Sequence, residues 1–320
     1  YSSYPADAVA AERRLLEATA GADVIAVQEG LASRNVLADL GFDLVMCAGK
    51  RGVAQSVREM VYADAGTLKI CPEDLHDETL CNQIYLRRGS SWEVEDSGVQ
   101  QVSSSLILQG GGGRCEGPLV VRSMVWAKLR KRRGGGPAAV VMCTHITGGR
   151  FEDQYFVQQL AQERRRQPEE CVKFFKEGRP NPKDDDVGIL VGDFNALDDY
   201  ESNGVMHGYF MAGIAGSEGV NEDASAAGLE STEALEERFK DYMISPFVAL
   251  RDLGWTFAYD KKIGVTSAFG HVIDHVATNK PLEVESAEIR YLTNQKFGNK
   301  PPDTDLVITD HNAVQVSFLI

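Results

Sequence analysis

Three short apolar runs in this chain lead into acidic, amide or imidazole side chains. The runs and the side chains that follow them are 23–27 with Glu29, 187–191 with Asp193 and Asn195, and a run near the C-terminus with Asp310 and His311. A continuous apolar run is typical of a β-strand that is covered on both faces. The pattern therefore predicts buried strands that hold polar side chains rigidly at their ends.

The rest of the pattern predicts further strands with helices placed between them. Helices are predicted over 5–19, 33–40, 151–177 and 233–250, with a break at Pro168 in the third. Residues 119–145 predict a long hairpin with a basic, glycine-rich turn. Because strands and helices do not alternate as a doubly wound sheet requires, we predict a four-layer α/β sandwich of two packed mixed β-sheets with flanking helices.

The composition is that of an ordinary globular protein. The chain has 320 residues, 43% of them hydrophobic and 25% charged, and a formal net charge of −14. No apolar run approaches the roughly 20 residues of a membrane span, and the negative charge argues against a constitutive, tight polyanion binder. We predict a single domain over 1–320, with an inserted loop and helix at about 198–250.

The six cysteines do not have the spacing of a zinc site. Cys47 and Cys143 lie in apolar runs and are predicted to be buried thiols. Cys71 and Cys81 flank a polar loop, and the sequence leaves open whether they form a disulfide. The chain begins at Tyr1, which is expected of a trimmed chain or of a processed one, such as a secreted or organellar protein.

The carboxylates at the strand ends suit a hard cation. Mg²⁺ prefers oxygen ligands and keeps several waters while it binds substrate phosphate. Taken singly, Glu29 is better explained as an acid at the start of a helix, and Asp193 and Asn195 as turn residues. As an ordered set, these side chains predict a metal-phosphate site.

Two histidines are candidates for proton transfer near neutral pH, His311 and His145. Asp274 alternates with apolar neighbours and is predicted to be the partner of His311. Arg122 is a candidate phosphate clamp, with a surface arginine as the equal alternative. The basic turn 130–133 is predicted to be solvated and about 25 Å from His145. The remaining histidines are interpreted as structural: His76, His207, His271 and His275.

Five motifs occur along the chain in the order ADVIAVQE (22–29), CTHITGG (143–149), VGDFNA (191–196), VIDHV (272–276) and TDHNAV (309–314). Together they resemble the endonuclease/exonuclease/phosphatase superfamily, which has the DNase-I-like fold. The resemblance implies that Glu29 binds Mg²⁺ and that Asp310 is a second metal-site carboxylate. It also implies that Asp193 and Asn195 position the attacking water and the scissile phosphate.

The same resemblance implies that His311, paired with Asp274, is the histidine of the Asp-His motif. His145 matches a second catalytic histidine, and Arg122 matches an arginine that contacts phosphate. In the DNase and sphingomyelinase branches of the superfamily an acidic residue supports this second histidine. This chain offers Asn82 instead, and we place Asn82 with the groups that bind the substrate phosphate. Two departures are a threonine in place of the usual serine before Asp310, and a family first strand that would precede Tyr1.

The resemblance implies a Mg²⁺-dependent phosphodiesterase, with a nuclease as the first expectation and Mn²⁺ or Ca²⁺ as the other candidate ions. The expected partner is a phosphodiester substrate such as nucleic acid. A lipid phosphate or a small-molecule phosphate is the alternative substrate. A non-catalytic DNase-like structural or binding subunit is the alternative from another class, and the missing first strand favours it.

Overall fold

The structure is a computed structural model that describes residues 17, 21–28, 33–48, 82–103, 107–109, 115–118, 122–148, 154–198, 232–267, 271–290 and 311–320. Its strands are β1 (Val24–Val27), β2 (Phe42–Cys47), β3 (Gln83–Arg87), β4 (Trp92–Gln101), β5 (Ile107–Gln109), β6 (Cys115–Pro118), β7 (Ser123–Lys131), β8 (Ala139–His145), β9 (Val187–Asp193), β10 (Thr256–Phe257), β11 (Asp274–Thr278), β12 (Glu283–Arg290) and β13 (Ala313–Leu319). Its helices are α1 (Ser33–Asp39), α2 (Gln154–Glu177), α3 (Thr232–Asp252) and a 3₁₀ helix (Lys261–Ile263).

A six-stranded sheet forms the centre of the described structure, with the strand order β10-β11-β9-β8-β7-β4. β8 and β9 are parallel, and the other neighbours in this sheet are antiparallel. Because β8 and β9 run in the same direction, both end at the same edge of the sheet. β11 runs in the opposite direction and begins at that edge.

A smaller sheet with the order β1-β3-β2 packs against one face of the six-stranded sheet. Along β8, Val141 and Cys143 face this smaller sheet, while Val140 and Met142 face the helices, as side-chain alternation in a strand requires. α2 and α3 cover the helix side, and α1 covers the outer face of the smaller sheet. The predicted four-layer sandwich is therefore confirmed.

The break predicted at Pro168 is wrong, because α2 runs unbroken from Gln154 to Glu177. A proline inside a helix removes one backbone hydrogen bond and crowds the preceding turn. Burial of the apolar stripe of α2, which includes Leu160, Val172 and Phe175, offsets that loss. α3 likewise contains an internal proline, Pro246.

The hairpin predicted over 119–145 is formed by β7 and β8, with the basic turn at the end opposite to His145. Three of the four cations of this turn have described contacts. Arg130 pairs with Glu95 at 2.7 Å, Arg132 approaches Glu93 at 3.8 Å, and Lys131 lies 5.4 Å from the centre of the Trp92 ring. The turn therefore does not present an open cluster of positive charge.

Cys143 is buried as predicted, whereas Cys47 is only half-buried. The described helices include none that is long and apolar enough to cross a membrane. Of the helix predicted over 5–19 only Glu17 is described, and it is helical. The predictions for the loop after residue 198 and for the pair Cys71 and Cys81 lie outside the described residues.

Candidate active site

Three polar side chains form a row across the edge where β8 and β9 end and β11 begins. His145 pairs in register with Asp193, and Asp193 pairs in register with Asp274. Residues opposite one another on neighbouring strands point to the same face of a sheet. Buried residues an even number of positions away from this row along β8, β9 and β11 pack against the smaller sheet, so the row lies on that face of the six-stranded sheet. Strand pairing thus brings together residues that are far apart in sequence.

The backbone turns sharply after Asp193 and closes around its carboxylate. Asn195 has a φ of 49°, in the left-handed region that an asparagine tolerates better than most residues. Its backbone N–H donates to Asp193 Oδ1 at 2.7 Å. Its side-chain Nδ2 lies 3.2 Å from Asp193 Oδ2 and 3.0 Å from the carbonyl oxygen of Ile146. Asn195 therefore links the Asp193 carboxylate to the loop that follows His145.

Both candidate histidines face the same carboxylate oxygen. Asp193 Oδ2 lies 3.3 Å from His145 Nε2 and 3.7 Å from His311 Nε2. On its other side, His311 Nδ1 lies 2.9 Å from Asp274 Oδ2 and 3.1 Å from Asp274 Oδ1. The carboxylate of Asp274 accepts a hydrogen bond from Nδ1–H of His311, and the other ring nitrogen, Nε2, is left facing Asp193. The structure thus places Asp274 and His311 in direct contact.

Arg122 contacts His145 from the side away from Asp193. Its Nη1 lies 3.2 Å from His145 Nδ1. A guanidinium only donates hydrogen bonds, so Nδ1 accepts and the proton of the neutral ring lies on Nε2. His145 can then donate from Nε2 to Asp193. The hairpin predicted over 119–145 brings Arg122 and His145 to the same end, and the contact agrees with that geometry. The predicted contact of Arg122 with substrate phosphate stays a prediction.

The pKa values of Asp193 and Asp274 shift in opposite directions. Burial raises the pKa of Asp193, but the contacts with His145 and His311 and the hydrogen bond from the Asn195 N–H lower it to about 2 overall. Burial also raises the pKa of Asp274, and there the contact with His311 does not reverse the direction. Asp193 is therefore an anion at neutral pH, held by several donors.

Three side chains that were predicted to be catalytic also have the chemistry of a divalent-cation site. Ligand atoms of Asp193, Asp274 and His311 lie within 4.8 Å of one another and supply carboxylate oxygens and an imidazole nitrogen. The predicted ligands Glu29 and Asp310 lie outside the described residues. Gln28, the neighbour of Glu29, donates to Cys143 Sγ at 2.9 Å and so fixes the end of β1 beside the strand that carries His145.

Asn82 lies near the start of β7. Its Nδ2 donates to the carbonyl oxygen of Ser123 at 2.7 Å, and the residue is buried. This bond anchors the backbone next to Arg122. Its predicted contact with substrate phosphate stays a prediction.

Sequence reasoning missed a buried arginine behind the site. Arg164 of α2 is fully buried and bonds to the carbonyl oxygens of Thr147 and Asn195. One signal was available in the sequence. Arg164 falls on the same helical stripe as Leu160, Ala161 and Cys171, where an apolar residue is the usual occupant.

His275, which was interpreted as structural, lies on the opposite face of β11 from Asp274. Its ring is buried among Phe194, Phe247 and Phe257, and its Nε2 bonds to the carbonyl oxygen of Ala196 at 2.9 Å. Burial lowers the pKa of His275 from 6.5 to about 4, because the charged ring loses its hydration. His275 is therefore a neutral packing residue at physiological pH.

This burial predicts an acid-sensitive fold. Between pH 6.5 and about 4 the unfolded chain binds a proton at His275 that the folded chain does not bind. The free energy of unfolding therefore falls as the pH falls, by on the order of 3 kcal/mol across that window. Urea unfolding at pH 7.5, 6, 5 and 4.5 is expected to show that His275→Gln loses less stability than the parent chain. Parallel pH profiles for the two proteins would contradict the assignment.

Solved structures of other proteins share this architecture. A mannosyl-6-phosphatase of Bacteroides thetaiotaomicron is 13% identical with a TM-score of 0.53, over 99% of this chain and 98% of that chain. An endonuclease/exonuclease/phosphatase of Bacteroides vulgatus is 14% identical with a TM-score of 0.52, over 99% and 95% of the two chains. A family protein of the same description from Bacteroides thetaiotaomicron is 14% identical with a TM-score of 0.51, over 98% and 94%.

No family model matches the chain, and no curated protein matches it. The likeness therefore rests on the superposition of the folds, which covers nearly the whole of both chains in each comparison. The chain has the fold of the endonuclease/exonuclease/phosphatase superfamily.

Proposed function

We propose that this chain is a metal-dependent hydrolase of phosphodiesters, with nucleic acid as the first substrate class to test. One observation carries the proposal: the carboxylate of Asp193 lies between two imidazoles, and Asp274 orients one of them. This arrangement joins a fixed anion, a polarised histidine and a donor histidine within one cluster. A purely structural sheet edge has no need of so many coupled ionisable groups.

We assign the proton-transfer role to His311. Asp274 accepts a hydrogen bond from Nδ1–H of His311. This bond favours the tautomer whose Nε2 can take a proton from the attacking water. Asp193, next to that Nε2, orients the water as a hydrogen-bond acceptor. Its low pKa keeps it ionised, so it orients the water and leaves the proton to His311.

We assign the stabilisation of phosphate charge to groups on the other side of Asp193. His145 carries its proton on Nε2, and the Asn195 side-chain amide has two N–H groups, which contact Asp193 and Ile146. Substrate phosphate would take over some of these hydrogen bonds from Asp193. Arg122 supplies a fixed positive charge next to His145. Glu29 and Asp310 would hold a divalent ion, which when bound would polarise a phosphate oxygen and stabilise the leaving oxygen.

A small or lipid phosphoester is the second candidate substrate, and the basic turn favours it. Arg130 and Arg132 of that turn pair with Glu95 and Glu93, and the turn lies at the far end of the hairpin from His145. A nuclease gains affinity from cations that contact many phosphates. A turn that is far from the site and partly neutralised by Glu93 and Glu95 does not supply such contacts.

The test is a panel of plasmid DNA, RNA, a lipid-headgroup diester and a sugar phosphate, each with Mg²⁺ and with a chelator. Hydrolysis of one class that the chelator abolishes and added Mg²⁺ restores is the expected result. The same titration is followed by thermal melting, where Mg²⁺ is expected to raise the melting temperature. No hydrolysis of any substrate, together with no thermal shift, would favour a non-catalytic binding protein.

A further inference from the structure

A cluster of three consecutive arginines on α2 contains one with an unusual position. Arg164 is 0% exposed, whereas the side chains of Arg165 and Arg166 are 43% and 35% exposed. A buried guanidinium is destabilising unless hydrogen bonds replace its lost hydration. The groups that it contacts therefore indicate why an arginine occupies this position.

The Arg164 guanidinium bonds to three separate segments of the chain. Nη1 donates to the carbonyl oxygen of Thr147, Nη2 donates to that of Asn195 at 2.6 Å, and Nε donates to that of Tyr242 at 2.8 Å. The guanidinium also lies 4.0 Å from the centre of the Tyr242 ring. We call residues 146–148 the His145 loop and residues 193–195 the Asp193 turn. Arg164 holds both of them against α3.

Gln167, one turn further along α2, makes a second pair of bonds to the His145 loop. Its Oε1 accepts from the backbone N–H of Thr147 at 2.9 Å, and its Nε2 donates to Thr147 Oγ1 at 2.8 Å. The loop and the turn are also in direct contact, since a Cβ on Gly148 would lie 2.3 Å from the Asn195 side chain. Little free space therefore separates the two segments.

We infer that Arg164 is a positioning residue that fixes the His145 loop and the Asp193 turn relative to each other. Its planar guanidinium donates in fixed directions, so it sets both the spacing and the orientation of the carbonyl groups that it binds. Asn195 and Asp193 share one turn, and His145 directly precedes the loop. Movement of either segment changes the distance between His145 Nε2 and Asp193 Oδ2. The consequence for catalysis rests on the proposed function, whereas the positioning itself does not.

Three variants and a matched control test this inference. Arg164→Lys keeps the charge but loses the planar set of donors, and Arg164→Met removes both. Gln167→Met releases only the His145 loop. Arg165→Lys makes the same chemical change one residue along, where the described contacts are with Glu169 and Asp252 and involve neither segment.

The kinetic readout is the separation of kcat from KM on the best substrate. Misplacement of reacting groups by about 1 Å lowers the rate roughly 100-fold without removing binding contacts. We expect Arg164→Lys to lower kcat about 10- to 100-fold and to change KM less than about threefold. Gln167→Met is expected to fall between this variant and the parent chain, and Arg165→Lys to match the parent chain.

The second readout is hydrogen–deuterium exchange, which does not require activity. Peptides covering 146–148 and 194–197 are expected to exchange about tenfold faster in Arg164→Lys, with peptides from 124–129 and 187–191 unchanged. If the parent chain hydrolyses nothing, the proposed function fails while this readout still decides the positioning role. Two results overturn the inference: exchange that rises equally in all peptides, and exchange that rises in neither the His145 loop nor the Asp193 turn. If Arg164→Met does not fold, Arg164→Lys and Gln167→Met decide.

Discussion

Replacement of His311 by alanine is expected to lower kcat/KM by about 10²- to 10⁴-fold, the usual contribution of a general acid or base. The variant loses the imidazole that contacts both Asp274 and Asp193. The fold is expected to survive, because His311 is only half-buried and Asp274, whose pKa is raised, can take up a proton once its partner is gone.

Steady-state kinetics and thermal melting of the same preparation test this prediction. Asp274→Asn provides a graded comparison, since its amide oxygen can still accept from Nδ1 but no longer carries a charge. Its loss is expected to be smaller than that of His311→Ala. Near-normal activity of His311→Ala on every phosphoester tried would remove His311 from the mechanism. A large fall in melting temperature would mean that its role is structural.

The sequence predicted which residues lie at strand ends, but not how those strands pair. Apolar runs and their terminal side chains indicated His145, Asp193 and Asp274 separately. The row across the sheet depends on β8 and β9 being parallel and on β11 being antiparallel to β9. Alternation fixes the face that a side chain occupies but not the neighbouring strand or its register. Only the motif order suggested that these ends meet.

The contacts of Arg164 were beyond local pattern for the same reason. Its guanidinium bonds to three segments that are far apart in sequence. Pattern reasoning treats a charged residue as a surface residue, because isolated buried charges are rare. The contacts that compensate a buried guanidinium come from distant segments, so they are known only once the three-dimensional structure is known. Pro168 illustrates the same limit, since burial of α2 outweighs the local preference for a break.

A second large effect is expected at Gly192, the residue before Asp193. It pairs with Thr144 of β8 and has a φ of 149°, which residues with a Cβ rarely adopt. A Cβ added there would lie 1.8 Å from the carbonyl oxygen of Thr144. Backbone atoms in the middle of a sheet cannot move aside as a flexible side chain can. Gly192→Ala is therefore expected to destabilise the fold by about 4 kcal/mol or more.

Urea unfolding of Gly192→Ala measures this loss, with Gly21→Ala as the control because a Cβ there meets nothing within 4 Å. The control is expected to change the free energy of unfolding by less than about 0.5 kcal/mol. A loss below about 1 kcal/mol for Gly192→Ala would mean that the strands do not approach as closely as described. Should the variant fold at low temperature, β9 must have shifted away from β8. Asp193 would then move relative to His145, so activity is expected to fall even in the folded fraction.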